Sequence, residues 1–306
     1  MVCKACKNKP VIRLTNNNKG LCKSCFIKYF EQKTKKTISK YKLVDKKDHI
    51  GVACSGGKDS TAVLYLIHKI FGKRPDIKIT AIAVDEGIKG YRPEHLKYLK
   101  KFCKELKVNL KIVSFKEEFG KSLDQIIKKG MYPCSICGVL RRSLLNRYSL
   151  KLKCTKLVTG HNLDDEAQSI LMNQLKNNVK VSARLGPLTG VVKDNKFVPR
   201  IKPFYLLTEK EVKAYSFLMG YKEDLGECPY ADIAFRNDVR SMLNEFENKH
   251  EGTKHSVVLS FLEVLPLLKN KYRKGPSINY CSRCKEPCSK ESCKVCDLVK
   301  ELKLKV

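Results

Sequence analysis

The chain has no uninterrupted apolar run of 18 residues, so the sequence predicts no helix that spans a bilayer. Its start, M-V-C-K-A-C-K, carries no apolar signal segment, which leads us to expect a cytoplasmic protein without membrane attachment. Negative charge is also scarce: 31 Asp+Glu stand against 62 Lys+Arg, a net charge of +31. Such an excess draws polyanions through phosphate contacts and counterion release. Arginine is itself in short supply, with 12 residues, so part of the surplus reflects lysine usage with no partner behind it. The cysteine pairs that accompany the charge favour nucleic acid over a plain solvated surface. With 306 residues, 42% of them hydrophobic, the chain has room for one sizeable α/β domain and small appendages.

Cysteine is abundant, with 15 residues, and in a cytosolic chain that points to metal and redox chemistry rather than disulfides. Cys3-x-x-Cys6 and Cys22-x-x-Cys25 are separated by 15 residues, with T-N-N-N-K-G (15–20) as the turn between two knuckles. Cys281-x-x-Cys284 and Cys293-x-x-Cys296 are separated by eight, with Cys288 inside the loop as a spare thiol or a competing ligand. Each set reads as a four-thiolate Zn²⁺ site; the bland alternative, exposed thiol pairs, is an oxidation liability with no role.

The stretch G-V-A-C-S-G-G-K-D-S-T-A-V-L (51–64) sets the centre of the chain. An apolar run from His49 to Cys54 reads as a buried strand. Ser55, Gly56 and Gly57 force a tight turn, and Lys58, Asp59 and Ser60 open an apolar-periodic helix. A glycine turn between strand and helix offers free backbone N–H groups at the helix's positive end, which suits phosphate, and Lys58 adds a point charge. A Walker A loop is excluded, because Val52 and Asp59 stand where that pattern needs Gly and Ser or Thr. The stretch instead resembles the PP-loop of the ATP-pyrophosphatase superfamily, S-G-G-x-D-S, whose members cut ATP between its α- and β-phosphates and adenylate an acceptor. The competing reading is a glycine-rich turn that binds nothing.

Residues 48–115 read as β-α-β-α-β: a strand ending at Asp85, a helix from Pro93 to Leu106 and a strand from Asn109 to Phe115. The expected fold is a doubly wound parallel sheet with ligands outside the strands' carboxyl ends. Asp85 lies at such an end, to meet ribose or metal, or to serve as a plain turn carboxylate. In M-Y-P-C-S-I-C-G-V-L-R-R, Cys134 and Cys137 are expected in a loop before a helix with Arg141, Arg142 and Arg147. There the helix terminus and nearby cations lower a thiol pKa and make these reactive thiolates or metal ligands. The strand K-L-V-T-G, ending at Gly160, leads into H-N-L-D-D-E-A-Q, where Asn162 can cap a helix. Asp164 and Asp165 either complement its dipole or hold Mg²⁺ beside ATP phosphates. His161 is a possible substrate contact, although a lone histidine is more often structural. Residues 177–203 read as a long loop assigned to substrate access. Helices are expected at 208–219, 235–248 and 256–268, with Cys228 in the loop E-C-P-Y.

Cys54, Cys103 and Cys154 fall in strand, helix or strand-edge contexts and behave as small hydrophobes. Cys134, Cys137 and Cys228 are left. Three loop thiolates suit an iron–sulfur cluster with one iron free of protein ligands. One of them can equally carry a persulfide that another resolves. Spacing does not decide between the two.

Flanking C-x-x-C pairs, S-G-G-K-D-S, C-S-I-C-G, G-H-N-L-D-D-E-A-Q and E-C-P-Y in this order resemble, over essentially the full length, the tRNA 2-thiolation enzymes of the TtuA/NcsA group. C-G-V-L-R-R is similar to the wobble-uridine branch, where T-loop members tend to have lysine at the position of Arg141. The resemblance implies a PP-loop domain (41–275) flanked by an N-terminal zinc ribbon with a linker helix (1–40) and a C-terminal ribbon (276–306). It further implies a cytoplasmic homodimer that adenylates a uridine C2 oxygen of tRNA and inserts sulfur. That sulfur comes from a ubiquitin-like thiocarboxylate carrier or sulfide. By the match of motifs, Ser55, Gly56, Gly57, Lys58, Asp59, Ser60, Asp85, Gly160, Asp164 and Asp165 would hold ATP and Mg²⁺. Lys58, Asp59, Arg141 and Asp165 would serve catalysis. Cys134, Cys137 and Cys228 would hold a 4Fe-4S cluster, with zinc in the two outer cysteine sets. Arg141 cannot donate a proton as lysine can, so it would stabilise a phosphate or developing oxyanion. The rivals are a 2-thiocytidine or T-loop uridine thiolase using a persulfide relay, an amidating or lysidine-forming PP-loop enzyme, and a zinc-ribbon tRNA-binding scaffold with a dead ATP site.

Overall fold

The apolar run predicted as the central strand is buried on both faces in the computed structural model, which describes residues 2–15, 18–192, 194–221, 226, 228–230, 235–273, 279–288 and 290–305. Asn16 and Asn17 of the ribbon turn, Glu227 before Cys228, and the 275–276 domain boundary lie outside the described residues. The elements in chain order are β1 (Ile12–Arg13), β2 (Gly20–Leu21), α1 (Lys23–Lys40), β3 (His49–Ala53), α2 (Lys58–Phe71), β4 (Lys78–Asp85), α3 (Arg92–Glu105), β5 (Asn109–Ser114), α4 (Phe115–Phe119), α5 (Leu123–Ile126) and α6 (Pro133–Lys151). They continue with β6 (Lys156–Val158), α7 (Leu163–Leu175), α8 (Val179–Ser182), β7 (Arg200–Ile201), α9 (Glu209–Leu218), α10 (Phe235–Lys249), α11 (Thr253–Arg273), β8 (Asn279–Tyr280), β9 (Pro287–Cys288) and α12 (Lys294–Glu301).

The central sheet has the order β5-β4-β3-β6-β7, and all its strands run parallel. The chain leaves β3 for β4 on one side and later returns to place β6 on the other. This reversal is a topological switch point, so a crevice opens where the carboxyl ends of β3 and β6 lie side by side. Val52 pairs with Val158, which brings the turn after each strand to the same level. Cys54, Cys103 and Cys154 are buried, as their apolar contexts predicted.

Residues 177–203 are more structured than their lack of periodicity suggests. They contain α8 and β7, which adds the fifth strand at the sheet edge beside β6. Two residues are too short to show a period, and their strand character comes from the partner strand.

The N-terminal segment is built into the main core. Phe26 and Phe30 are fully buried, and Phe30 stacks on Tyr215 at 4.2 Å and packs edge-on against Phe204 at 5.3 Å. Full burial of each such ring stabilises by roughly 1.5–3 kcal/mol. The C-terminal segment is tied down by Lys196 Nζ to the Lys285 carbonyl at 2.7 Å and by the Tyr280 hydroxyl to Asp194 at 2.7 Å. Among the described residues, no helix is long and apolar enough to cross a membrane.

Candidate active site

Two strand–helix junctions face each other across the switch point, and their amino ends are finished differently. At the start of α7 the Asn162 side chain accepts from the Asp164 and Asp165 N–H groups, and Asp165 Oδ2 accepts in return from the Asn162 N–H at 3.1 Å. This capping box satisfies the helix end from within. At the start of α2 no side chain caps the helix. The Ser60 hydroxyl instead secures the preceding turn, accepting from the Ser55 N–H at 3.1 Å and the Gly56 N–H at 3.2 Å while donating to the Gly57 carbonyl at 3.0 Å. The first turn of α2 therefore keeps its positive end for an outside anion.

Two glycines make this arrangement possible. Gly56 has φ +87°, and a Cβ there would stand 2.5 Å from the His95 carbonyl oxygen. Gly160 lets the turn after β6 pass against α2, since a Cβ would stand 2.9 Å from both the carbonyl carbon and oxygen of Asp59. Neither backbone can yield cheaply, and overpacking of this kind costs about 1–3 kcal/mol. Gly160→Ala is therefore expected to lower the melting temperature and to displace Asp59, which thermal unfolding and nucleotide titration would register together.

Lys58 Nζ lies 3.0 Å from Asp59 Oδ2 and 3.5 Å from Glu209 Oε1. Burial opposes its charge, but the two carboxylates outweigh that and raise its pKa. Asp59 Oδ1 accepts from Asn162 Nδ2 at 3.2 Å, so the two junctions are joined directly. Asp165 sits beside them with Arg236 Nη1 at 3.5 Å. A third of its side chain is open to solvent, yet the desolvating walls of the crevice push its pKa to about 6. The Asp59 and Glu166 charges add to that rise, against the Asn162 N–H and Arg236.

Asp164 behaves otherwise. It is buried in an ion pair with Lys254, and its Oδ2 accepts from the Glu209 N–H at 2.8 Å. Both oxygens are engaged inside the fold. Neighbouring positions on a helix point about 100° apart, so the crevice receives Asp165 alone of this pair. Asp85 Oδ1 accepts from the Gly87 N–H at 2.9 Å, the turn-carboxylate alternative.

The cysteines between the ribbons converge at the neighbouring strand end. Cys134 and Cys137 do not lie in a loop: they occupy the first turns of α6, which begins at Pro133. Cys134 Sγ donates to the Tyr230 carbonyl at 3.1 Å, drawing the Cys228–Tyr230 segment onto the helix start. The three thiols feel one another's charge, with their sulfurs spread more widely than the 4.8 Å of the outer sets. Cys137 and Cys228 pack on an apolar cluster that includes Ile136 and Leu140, while Cys134 is exposed. Burial pushes the Cys137 thiol up to about 11, and Arg141 offsets this only in part, so the expected low-pKa thiolate is not found there. Metal binding changes that balance, because the metal replaces the proton. Three soft donors at one solvent-reached edge suit an iron–sulfur group held through three thiolates. Cys288 belongs elsewhere: it donates to the Lys290 carbonyl and packs with Cys281, Cys293 and Cys296.

In each outer set the four sulfurs lie within 4.8 Å of one another, with Cys6–Cys22 at 3.4 Å and Cys284–Cys293 at 3.6 Å. A tetrahedral site with Zn–S of about 2.3 Å has S···S edges of about 3.8 Å. Both sets therefore have the size and donor chemistry for zinc.

Sequence reading missed the link between the two halves of the site. Buried Arg92 donates to the Ser55 carbonyl at 2.7 Å and to the Val84 carbonyl, and pairs through Nε with Glu86 Oε2 at 3.0 Å. Glu86 Oε1 in turn meets Arg141 Nη1 at 3.4 Å, and Arg141 lies beside Cys137. A chain of ionic contacts thus runs from the glycine turn to the cysteines. Glu86 follows Asp85 at the end of β4, a position whose ligand-facing character was the available signal.

The PP-loop domain family matches residues 27–245. A probable sulfurtransferase of Methanocaldococcus jannaschii is 38% identical over 99% of this chain and 88% of its own length. The tRNA-5-methyluridine(54) 2-sulfurtransferase of Pyrococcus horikoshii is 36% identical over 100% of this chain and 97% of its own. Among solved structures, the U34-tRNA thiolase NcsA from Methanococcus maripaludis with its [4Fe-4S] cluster superposes with a TM-score of 0.85 at 36% identity, covering 99% of this chain and 96% of that one. An uncapped glycine turn and a cysteine trio at adjoining strand ends, together with full-length likeness to these proteins, establish that the chain belongs to the tRNA 2-thiolation branch of the PP-loop family.

Proposed function

We propose that this chain is an ATP-dependent tRNA 2-sulfurtransferase acting on the wobble uridine. The observation that carries this reading is the adjacency of an uncapped phosphate-type helix end and three converging thiols, joined through Arg92, Glu86 and Arg141. A uridine carbonyl oxygen is a poor leaving group, and adenylation corrects that. The C2 oxygen attacks the α-phosphorus of ATP and pyrophosphate departs. Sulfide then adds at C2, and AMP leaves with the former carbonyl oxygen.

The residues divide this work. The first N–H groups of α2 and Lys58 receive the phosphates, with Lys58 exchanging its carboxylate partners for them. Asp59 and Asp165 supply oxygens for Mg²⁺, which prefers carboxylate and phosphate ligands. Arg141, with Glu86 fixing its guanidinium, stabilises charge developing beside the cysteines. Cys134, Cys137 and Cys228 would hold a [4Fe-4S] cluster, which would supply a binding place for exogenous sulfide. The outer cysteine sets would hold zinc and keep the ribbons folded. The thiol-rich make-up of the chain supports work in the reducing cytoplasm.

The likeness to the Pyrococcus enzyme favours a second reading, 2-thiolation at position 54. Incubating unmodified tRNA with ATP, Mg²⁺ and sulfide under anoxia, then mapping 2-thiouridine by mass spectrometry of nuclease fragments, separates the two. Sulfur at position 34 supports the first reading and sulfur at position 54 the second. No incorporation at either position contradicts both.

A further inference from the structure

Beside the cysteines stand two arginines without a carboxylate partner among the described residues, exposed Arg142 and half-buried Arg200. The Arg142 side chain folds back along α6 over Gly138, where a Cβ would stand 3.0 Å from Nη1 and 3.3 Å from Nη2. A Cβ there would shift that flexible side-chain end by only a few tenths of an ångström. On the edge strand β7, Arg200 directs Nη2 to within 3.5 Å of the Arg142 carbonyl. Their positive neighbours are compensated: Arg141 by Glu86, Arg236 by Asp165 and Lys202 by Glu166. Among the described residues, no carboxylate lies within ion-pair distance of Arg142 or Arg200. His161 is anchored by Thr159 Oγ1 at 2.8 Å in the midst of this group, and desolvation and then the charges of Lys202, Arg236, Arg200 and Arg141 keep its ring neutral. Burial and repulsion from Arg142 likewise weaken the protonated form of Arg200. The fold thus gathers positive charge that it does not itself neutralise.

We propose that Arg142 and Arg200 form a seat for one backbone phosphodiester of the RNA strand that carries the target uridine. This rests on the tRNA reading above and deepens it. Chemistry at a base carbonyl requires the nucleotide to leave its stack, and an extruded nucleotide brings its flanking phosphates into the protein with it. A guanidinium meets a phosphate with two parallel N–H donors, as a lysine does not. The triphosphate of ATP has its own place at the uncapped end of α2 with Lys58. Arg142 instead lies over Gly138, next to Cys137, where the reacting base must arrive for sulfur.

The test is binding of an unmodified tRNA transcript to anaerobically purified holoprotein, measured by fluorescence anisotropy across a salt series. Each phosphate contact contributes about 0.7–0.9 to the slope of log affinity against log salt. Arg142→Ala and Arg200→Ala should each weaken binding about three- to tenfold at moderate salt and flatten the slope by about one contact. The double variant should lose no more slope than either alone, because both arginines serve one phosphate. Arg200→Lys should keep the slope, and ATP affinity should be unchanged throughout. A transcript with a neutral methylphosphonate beside the target uridine should make the native protein behave as the variants do, a result that does not depend on any variant folding. Native slopes in the alanine variants, or with the methylphosphonate, overturn the proposal and leave the tRNA reading standing. Loss of ATP affinity with intact tRNA binding overturns it by assigning the arginines to the nucleotide. Failure of the native protein to bind tRNA overturns the tRNA reading and the seat together.

Discussion

Lys58→Ala is expected to lower thiolation by about 10²- to 10³-fold, the range found when one preorganised group facing developing charge is removed. The loss should fall on adenylation. Lys58 is the first residue of uncapped α2, and its present partners, Asp59 and Glu209, are acids that a polyphosphate would displace. A single-turnover assay of pyrophosphate release should therefore show the full defect, while tRNA binding stays near native. Stability should barely move, because the lysine is a quarter exposed and surface-type ion pairs contribute little. A variant that retains pyrophosphate release and loses only tRNA affinity would place Lys58 on the RNA and contradict this assignment.

Cys137→Ser is expected to abolish thiolation and strip the protein of iron and acid-labile sulfide while leaving about two zinc ions per chain in the ribbons. The reason is local. Cys137 is the more buried of the two thiols in the first turns of α6, packed against the cluster around Ile136 and Leu140. A serine hydroxyl there is a hard, weakly acidic donor that does not replace a thiolate. Iron and zinc analysis of anaerobically prepared native and variant protein distinguishes the outcomes. Loss of zinc with retention of iron would mean that the outer cysteine sets hold iron and the central trio does not. Native protein with zinc but no iron under strict anoxia would remove the cluster and leave a persulfide relay among Cys134, Cys137 and Cys228.

What sequence reasoning could reach was governed by how local each signal is. S-G-G-K-D-S and the C-x-x-C pairs are short, and their chemistry depends on neighbours in the chain, so turn, helix start and thiol sets were all readable. The start of α6 lies where a loop is expected, and Pro133 opens the helix there. Proline at the first helical position lacks only an N–H that would go unused, and it commonly opens a helix. The edge strand β7 was invisible because two residues show no period, and it exists only through its pairing with β6. Asp164 and Asp165 looked equivalent in D-D-E. The partner that separates them, Lys254, is 90 residues away on α11. Separation in sequence likewise concealed the meeting of Glu86 with Arg141, 55 residues on, and the approach of Arg200 to the Arg142 carbonyl across 58 residues. Residues that act in place were legible, and those that act through the fold were not.

In the proposed reaction ATP is spent to activate the base that receives sulfur. This is tested most directly by counting AMP and 2-thiouridine in one anaerobic reaction of native protein with unmodified tRNA, ATP, Mg²⁺ and sulfide. About one AMP is expected for each 2-thiouridine formed, with pyrophosphate as the other product and neither appearing without tRNA. Production of ADP and phosphate, or 2-thiouridine formed in the absence of ATP, would contradict it.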